Sequence, residues 1–123
     1  IGQAANTVIV FVSDHGYHLG EHGLWAKTSN FEFDARVPLL IAVPNAGRGG
    51  ATTKALVELV DLFPTLVDAC RVPTPAGLEG ASLMPLIRGE ADSVKPAAFT
   101  QHPRPAYYER EPSKRPAAMG VSW

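Results

Sequence analysis

The sequence predicts an α/β fold in which the strands of a mixed or parallel sheet are flanked by short helices and joined by long loops. Residues 7–12 form an apolar run rich in β-branched side chains, and residues 37–44 form a second run that contains prolines near both ends. Neither run alternates apolar with polar residues, which is typical of strands that are buried on both faces. Short helical patterns lie between and after these runs, as an α/β fold requires.

The first run is followed by an abrupt change to polar, glycine-rich sequence at Ser13. In an open α/β sheet, the ligand site lies just beyond the carboxyl end of such a strand. Asp14 and His15 occupy that position. A carboxylate oxygen and an imidazole nitrogen of adjacent residues bind one divalent ion if the backbone bends so that the side chains converge, and Gly16 permits that bend.

Two other interpretations of this stretch remain open. His15, His18 and His22 are spaced i, i+3 and i+7, which on a helix would create one face and a three-histidine zinc site. The glycines between these histidines argue against a continuous helix. Alternatively, Asp14 closes a turn by accepting backbone N–H bonds, and the histidines are surface residues.

Size and charge exclude several classes of protein. The chain has 123 residues with 46% hydrophobic content, which suits a single domain over residues 1–123. The net charge of −1 gives no electrostatic footprint for nucleic acid. No apolar run approaches the roughly 18 residues of a membrane span, and none resembles a secretory leader. A single cysteine, Cys70, says little about the redox compartment.

The segment after the glycine-rich loop predicts a short helix. Ser29 or Asn30 is expected to cap it, and it is expected to end at Arg36. Phe31 and Ala35 would then point inward.

The middle of the chain predicts a strand followed by a helix. Residues 53–59 are expected to form a third strand, and Asp61 is expected to cap a helix over residues 62–70. Pro64 falls in the first turn of that helix, where its missing N–H costs nothing. The expected inward-facing residues are Leu62, Leu66 and Ala69, with Cys70 as a small packed residue at the end.

The last part of the chain predicts three elements. Residues 82–87 are expected to form a helical turn and residues 97–100 a strand. A proline-rich, charged loop is expected at residues 101–116.

Several motifs, in consistent order along nearly the whole chain, resemble the later part of a sulfatase, and within that family most closely the iduronate-2-sulfatase branch. The matching motifs occupy residues 6–16, 19–23, 25–27, 37–39, 60–66, 80–83 and 101–105. This resemblance is far more specific than the triplet of Asp14, His15 and Gly16 alone.

The resemblance implies a partial alkaline-phosphatase-like fold and hydrolysis of a sulfate ester, expected to belong to a small molecule or oligosaccharide such as a sulfated sugar or glycosaminoglycan. It also implies a bound Ca²⁺ ion with Asp14 and His15 as two of its ligands, and Lys27 as the residue that reaches the sulfate. In sulfatases a hydrated aldehyde made from a cysteine, formylglycine, attacks sulfur. Exported, periplasmic or lysosomal localisation is usual for such enzymes.

The chain also departs from the family pattern. The aldehyde-forming motif is Cys-x-Pro-x-Arg, whereas Cys70 is followed by Arg71-Val72-Pro73-Thr74, so Cys70 is not the nucleophile. The paired aspartates that complete the metal site have no counterpart, since no two acidic residues are adjacent. We therefore expect a C-terminal-side portion whose partner is the remainder of the sulfatase domain, which would carry the formylglycine. Alone, the chain is expected to be inactive, to bind calcium weakly and to self-associate through unpaired sheet edges.

Three further residues are weaker candidates for substrate contacts: Tyr17, His22 and Arg104. Trp25 is interpreted as a packing anchor, and a solvated surface position is the alternative for Lys27. A phosphodiesterase or phosphonate monoester hydrolase of the same superfamily, and a non-enzymatic binding or assembly module, are the alternative functions.

Overall fold

The computed structural model describes residues 2–47, 49–103 and 117–122. Short 3₁₀ turns lie at Ala4–Asn6, Glu21–Gly23 and Leu59–Asp61. The strands and helices, in chain order, are β1 (Ile9–Val12), β2 (His18–Leu19), β3 (Trp25–Ala26), α1 (Glu32–Ala35), β4 (Leu39–Ala42), α2 (Leu62–Ala69), α3 (Met84–Arg88), β5 (Ala98–Pro103) and β6 (Ala117–Ser122).

The described residues belong to two compact units. One lies within Ile1–Val12 and Leu39–Pro96, and the other lies within Ser13–Pro38 and Ala97–Trp123. Over the part of the chain with described structure, no helix has both the length and the apolar character needed to cross a membrane.

Strands β1 and β4 form an antiparallel ribbon in the first unit, with Phe11 opposite Leu40. Both apolar runs are therefore strands, as predicted, but they pair with each other antiparallel, where strands of a mixed or parallel sheet were expected. The expectation of burial on both faces is wrong, because Phe11 is 63% and Leu40 is 60% exposed. The two strands satisfy each other's backbone hydrogen bonds, but a two-stranded ribbon does not itself cover its apolar faces. Self-association stays a prediction, and these exposed side chains are consistent with it.

The segment expected to be a third strand is not one. Residues 51–58 have no regular structure and lead into the 3₁₀ turn, whose N-cap residue is Glu58. The Asp61 side chain does not cap α2, since it accepts a hydrogen bond from the Glu58 main-chain N–H at 2.8 Å as half of a capping box. The capping box turns this carboxylate away from the helix that follows it.

Asp61 is fully buried and organises the first unit. Its Oδ1 atom accepts from the Ala81 main-chain N–H at 2.8 Å and from Lys95 Nζ at 2.7 Å. Lys95 also donates to Glu58 Oε2 at 2.6 Å. A buried carboxylate is tolerated only when it is paired and hydrogen-bonded, and these donors meet that condition.

Helix α2 buries a different face from the one predicted. Pro64 lies in the first turn as expected, but the buried positions are Pro64, Thr65 and Val67, while Leu66 is 37% exposed. Thr65 Oγ1 donates to the Asp61 carbonyl at 2.6 Å and accepts from the Leu83 main-chain N–H at 2.9 Å, which directs this face toward the segment that starts α3.

Cys70 is exposed rather than packed, because it follows the last residue of α2. The predicted helical turn at 82–87 is confirmed as α3, which ends at Arg88 and whose C-cap residue, Gly89, has a left-handed φ of 73°.

The second unit contains the β2–β3 hairpin, α1 and the antiparallel pair β5–β6. The predicted strand at 97–100 is confirmed, and it continues into residues 101–103, where a loop was expected. Residues 104–116 of that loop lie outside the described residues.

Helix α1 begins later than predicted and has no side-chain cap. Asp34 faces inward instead of Phe31, which is 47% exposed, because the Asp34 carboxylate binds Ser29.

Candidate functional site

Asp14 and His15 follow β1 in the chain and lie in the second unit, in a segment that is not helical. Asp14 Oδ1 is 3.8 Å from His15 Nε2. The Asp14 side chain is 86% exposed and that of His15 is 36% exposed. The two side chains therefore converge and are open to solvent.

One hydrogen bond of the His15 ring fixes its tautomer. Its Nδ1 atom is 2.7 Å from the Gly16 carbonyl oxygen, which only accepts hydrogen bonds, so Nδ1 carries the proton. In the neutral ring Nε2 then presents its lone pair on the side of Asp14. Histidines that bind metals commonly donate their other ring nitrogen to a backbone carbonyl in this way.

This pair fits a shared cation in two respects. Two ligands of one calcium ion lie within about 5 Å of each other, since each is 2.3–2.6 Å from the ion, and the pair meets that limit. The Asp14 carboxylate is also the donor type that calcium prefers, whereas the His15 nitrogen is a less usual calcium ligand. Calcium takes six to eight ligands, so the pair supplies part of a site. Within the described ranges, no group of three or more His, Cys, Asp or Glu residues is placed to hold a metal.

The three-histidine alternative is wrong. His18 lies in β2, not on a helix, and is fully buried, so it is not a surface residue either. Its Nε2 atom is 3.1 Å from Ser29 Oγ, which directs the ring away from solvent.

Gly16 has a different role from the predicted one. Its φ is not left-handed, so the bend after Asp14 does not require glycine for that reason. Gly16 instead packs against α1, where its N–H donates to the Asp34 carbonyl at 2.9 Å. A Cβ atom at this position would overlap the Phe33 carbonyl oxygen. Glycine is thus required by close backbone approach.

Lys27 follows β3 and is exposed. The residues on either side of Lys27 in the sequence have left-handed φ angles, 86° at Ala26 and 96° at Thr28. Such conformations cost non-glycine residues about 1–3 kcal/mol each. The Lys27 ammonium makes no hydrogen bond or ion pair to the part of the chain that the structure describes. The observed contacts join Asp14 to His15 but do not join Lys27 to either residue.

The weaker candidates have mixed placements. Tyr17 is 53% exposed, whereas His22 stacks on Phe31 with ring centroids 4.2 Å apart and planes at 11°. Arg104 lies outside the described residues. Trp25 is 73% exposed in the two-stranded hairpin, so among the described residues it is not the packing anchor that was expected.

The side chain of Glu21 stabilises the turn between β2 and β3. Glu21 Oε2 accepts a hydrogen bond from the Leu19 main-chain N–H at 2.6 Å. This bond holds the pKa of Glu21 below its usual value, because it stabilises the ionised carboxylate.

His18, Ser29 and Asp34 form a buried polar network that was not predicted from the sequence, and we call it the Asp34 network. Asp34 Oδ2 accepts from the main-chain N–H of Ser29 at 2.6 Å and from its hydroxyl at 2.5 Å. His18 Nε2 lies 3.5 Å from the same oxygen. The glycines around His22 signal the hairpin, but no local pattern indicates that it brings His18 against Ser29.

Comparison with known proteins places the chain in a family. Residues 20–120 match the model of "N-sulphoglucosamine sulphohydrolase, C-terminal". The chain is 39% identical over 109 residues to N-acetylglucosamine-6-O-sulfatase of Bacteroides thetaiotaomicron, covering 89% of the chain and 19% of the relative. It is 34% identical over 162 residues to iduronate 2-sulfatase of Mus musculus, covering 96% of the chain and 29% of the relative.

Solved structures give the same result. One, a protein in complex with its substrate D-glucosamine-2-N,6-O-disulfate, matches with a TM-score of 0.75 and 35% identity over 98% of the chain and 24% of that protein. The phosphonate monoester hydrolase of Silicibacter pomeroyi matches with a TM-score of 0.75 and 34% identity over 83% of the chain and 20% of that protein. These neighbours confirm the predicted partial alkaline-phosphatase-like α/β fold.

The chain thus spans less than a third of the length of each of these relatives. The two curated relatives are sulfatases of different names, and iduronate 2-sulfatase is one of them. The chain belongs to the sulfatase family, within the group that the N-sulphoglucosamine sulphohydrolase C-terminal model describes.

Proposed function

We propose that the protein containing this chain hydrolyses sulfate esters of sulfated sugars, with Asp14 and His15 as ligands of a calcium ion and Lys27 as a sulfate-binding residue. The observation that carries the proposal is the convergence of Asp14 Oδ1 and His15 Nε2 at 3.8 Å in a chain of the sulfatase family. His15 donates its Nδ1 proton to the Gly16 carbonyl, so its Nε2 atom is free to act as a ligand.

Each of these residues has a distinct chemical task. When bound, the cation would supply positive charge for the ester oxygens. His15 is oriented by its hydrogen bond to Gly16, and the Asp14 carboxylate supplies the negative charge that a divalent ion prefers. The exposed Lys27 ammonium adds a second positive charge where negative charge develops in the transition state. The nucleophile, expected to be a formylglycine, lies outside these residues.

The names of the relatives support a sulfated sugar as substrate. They include an N-acetylglucosamine-6-O-sulfatase and an iduronate 2-sulfatase, and the structural neighbour holds a disulfated glucosamine. A monosaccharide or oligosaccharide of the glycosaminoglycan type is the substrate class that we propose. Tyr17, His22 and Arg104 are the proposed contacts to its ring.

A phosphonate monoester is the second candidate substrate. It is favoured by one specific finding, the structural match to the phosphonate monoester hydrolase at 34% identity. A cation and an ammonium group stabilise a phosphoryl centre as well as a sulfuryl centre, so Asp14, His15 and Lys27 do not decide between them.

The test is an assay of the complete gene product on 4-nitrophenyl sulfate and on a 4-nitrophenyl phosphonate ester. We expect the sulfate to be the faster substrate. Lys27→Met should lower kcat/KM about 100-fold or more, since it removes one charge from the transition state. Lys54→Met, at an exposed lysine of the other unit, is the matched control and should have no effect.

Each other outcome contradicts a definite part of the proposal. Faster phosphonate hydrolysis would favour the second candidate. Equal activity of Lys27→Met and the parent would remove Lys27 from the site. No turnover of either ester would contradict both candidate functions.

A further inference from the structure

Asp34 fastens the loop that carries the candidate site at two points. Its main-chain carbonyl accepts a hydrogen bond from Gly16 N at 2.9 Å, directly after His15. Its carboxylate accepts from the N–H and the hydroxyl of Ser29 at 2.6 and 2.5 Å, two positions after Lys27. One buried residue therefore holds the backbone beside a candidate cation ligand and the backbone beside the candidate sulfate-binding lysine.

His18 adds a second restraint around the lysine. Its main chain is the β-ladder partner of Ala26, and its ring Nε2 lies 3.1 Å from Ser29 Oγ. Lys27 therefore lies between Ala26, which pairs with the His18 backbone, and Ser29, which contacts the His18 side chain. Ala26 and Thr28, which have left-handed φ values, lie within the same segment. Strained backbone persists only where the surrounding structure fixes it, and the two contacts of His18 provide that restraint.

The hydrogen bonds of the Asp34 network run in one direction. The Ser29 hydroxyl has one proton, which it donates to Asp34 Oδ2, so its oxygen accepts from the Nε2–H of His18. All three residues are buried, with exposures of 0% for His18, 8% for Ser29 and 7% for Asp34. Bulk water therefore does not compete with these bonds.

The network is not optimised for stability. The buried Nδ1 of His18 and Oδ1 of Asp34 have no hydrogen-bond partner among the described residues. Leaving a buried polar atom unpaired costs free energy, so a partly satisfied network stabilises a fold less than an apolar cluster of similar size does. Local rules are often broken in this way where geometry matters for function.

We propose that His18, Ser29 and Asp34 are positioning residues for ester hydrolysis, which fix Lys27 and the Gly16 end of the cation-binding segment in their working arrangement. This inference rests on the proposed function. The three residues act through the loop and do not touch the substrate.

The test is Ser29→Ala in the complete gene product, which removes the hydroxyl that links His18 to Asp34. We expect kcat to fall about 10- to 100-fold, since small displacements of catalytic groups have effects of this size. KM should change much less, and the calcium concentration for half-maximal activity should rise. Ser29→Thr keeps a hydroxyl and should restore kcat.

Ser82→Ala is the matched control, because Ser82 Oγ donates to Asp68 Oδ2 at 2.7 Å, the same kind of bond, in the other unit. It should lower the melting temperature and leave kcat unchanged. If Ser29→Ala does not accumulate as folded protein, Asp34→Asn takes its place with the same expected result.

A kcat within twofold of the parent in the folded Ser29→Ala or Asp34→Asn variant would overturn the inference, as would equal effects of Ser29→Ala and Ser82→Ala. Lys27→Met separates the two levels of the proposal. If Lys27→Met is inactive while Ser29→Ala is fully active, only the positioning role is lost. If Lys27→Met is fully active, the proposed function and the positioning role both fail.

Discussion

Asp14 Oδ1 lies 3.8 Å from His15 Nε2, and the other nitrogen of the same ring donates to the Gly16 carbonyl at 2.7 Å. Adjacent residues in an extended strand point to opposite faces, so this convergence requires that the backbone has left the strand at β1. The hydrogen bond from Gly16 N to Asp34 holds the backbone directly after the pair.

Gly16→Ala is expected to destabilise the complete gene product by about 1–3 kcal/mol, because the added methyl group overlaps the Phe33 carbonyl and forces the loop away from α1. The measurement is urea unfolding. Gly49→Ala is the control, since Gly49 has open space around its Cβ position and no left-handed φ. It should be neutral, or stabilising by less than about 1 kcal/mol. Equal midpoints for both variants would contradict the close-packed role of Gly16.

Lys95 is expected to make stability depend on alkaline pH. Burial alone would lower the pKa of Lys95, but its hydrogen bonds to Asp61 and Glu58 outweigh burial and raise that pKa above the ordinary 10.5. A raised folded pKa stabilises the fold below the unfolded pKa, and this contribution is lost as pH rises through the folded pKa. The free energy of unfolding should therefore fall above pH 10.5.

Lys95→Met tests this dependence and leaves the buried Asp61 carboxylate without its cation. At neutral pH the free energy of unfolding of the variant should be about 3 kcal/mol below that of the parent, a loss that is typical of a broken buried ion pair. The difference between parent and variant should shrink above pH 10.5. Lys54→Met is the control at an exposed position and should follow the parent at every pH. If the difference in unfolding free energy between the parent and Lys95→Met stays constant with pH, Lys95 is not the source of the alkaline pH dependence.

The sequence predicted the elements whose signals are local. Uniform apolar composition identified β1 and β4, and Pro64 in the first turn identified the start of α2. The resemblance to sulfatases, and with it the fold, depended on motifs that the sequence displays directly.

Two of the errors depend in part on contacts between distant residues. Asp61 was expected to cap α2, but its side chain is held by the local capping box with Glu58 and by bonds to Ala81 and Lys95, 20 and 34 positions away. The role of His18 depends on Ser29, 11 positions away across a hairpin. Local propensity carries no information about such pairings, and tertiary context overrides it.

The 123-residue chain by itself is expected to show no turnover of 4-nitrophenyl sulfate, with or without calcium. Asp14 and His15 supply two of the six to eight ligands that calcium takes, and Cys70 does not lie in the aldehyde-forming motif. The measurement compares the isolated chain with the complete gene product at equal concentration. Calcium-dependent turnover by the isolated chain would contradict this expectation.

Calcium titration of the complete gene product by calorimetry tests the cation site most directly. Asp14→Asn and His15→Gln should each weaken calcium binding at least about tenfold, as loss of a ligand or of its orienting partner does in metal sites. Asp92→Asn changes an exposed aspartate of the other unit and should bind calcium as the parent does. Equal calcium affinity in the parent and in Asp14→Asn would contradict the assignment of Asp14 and His15 as cation ligands.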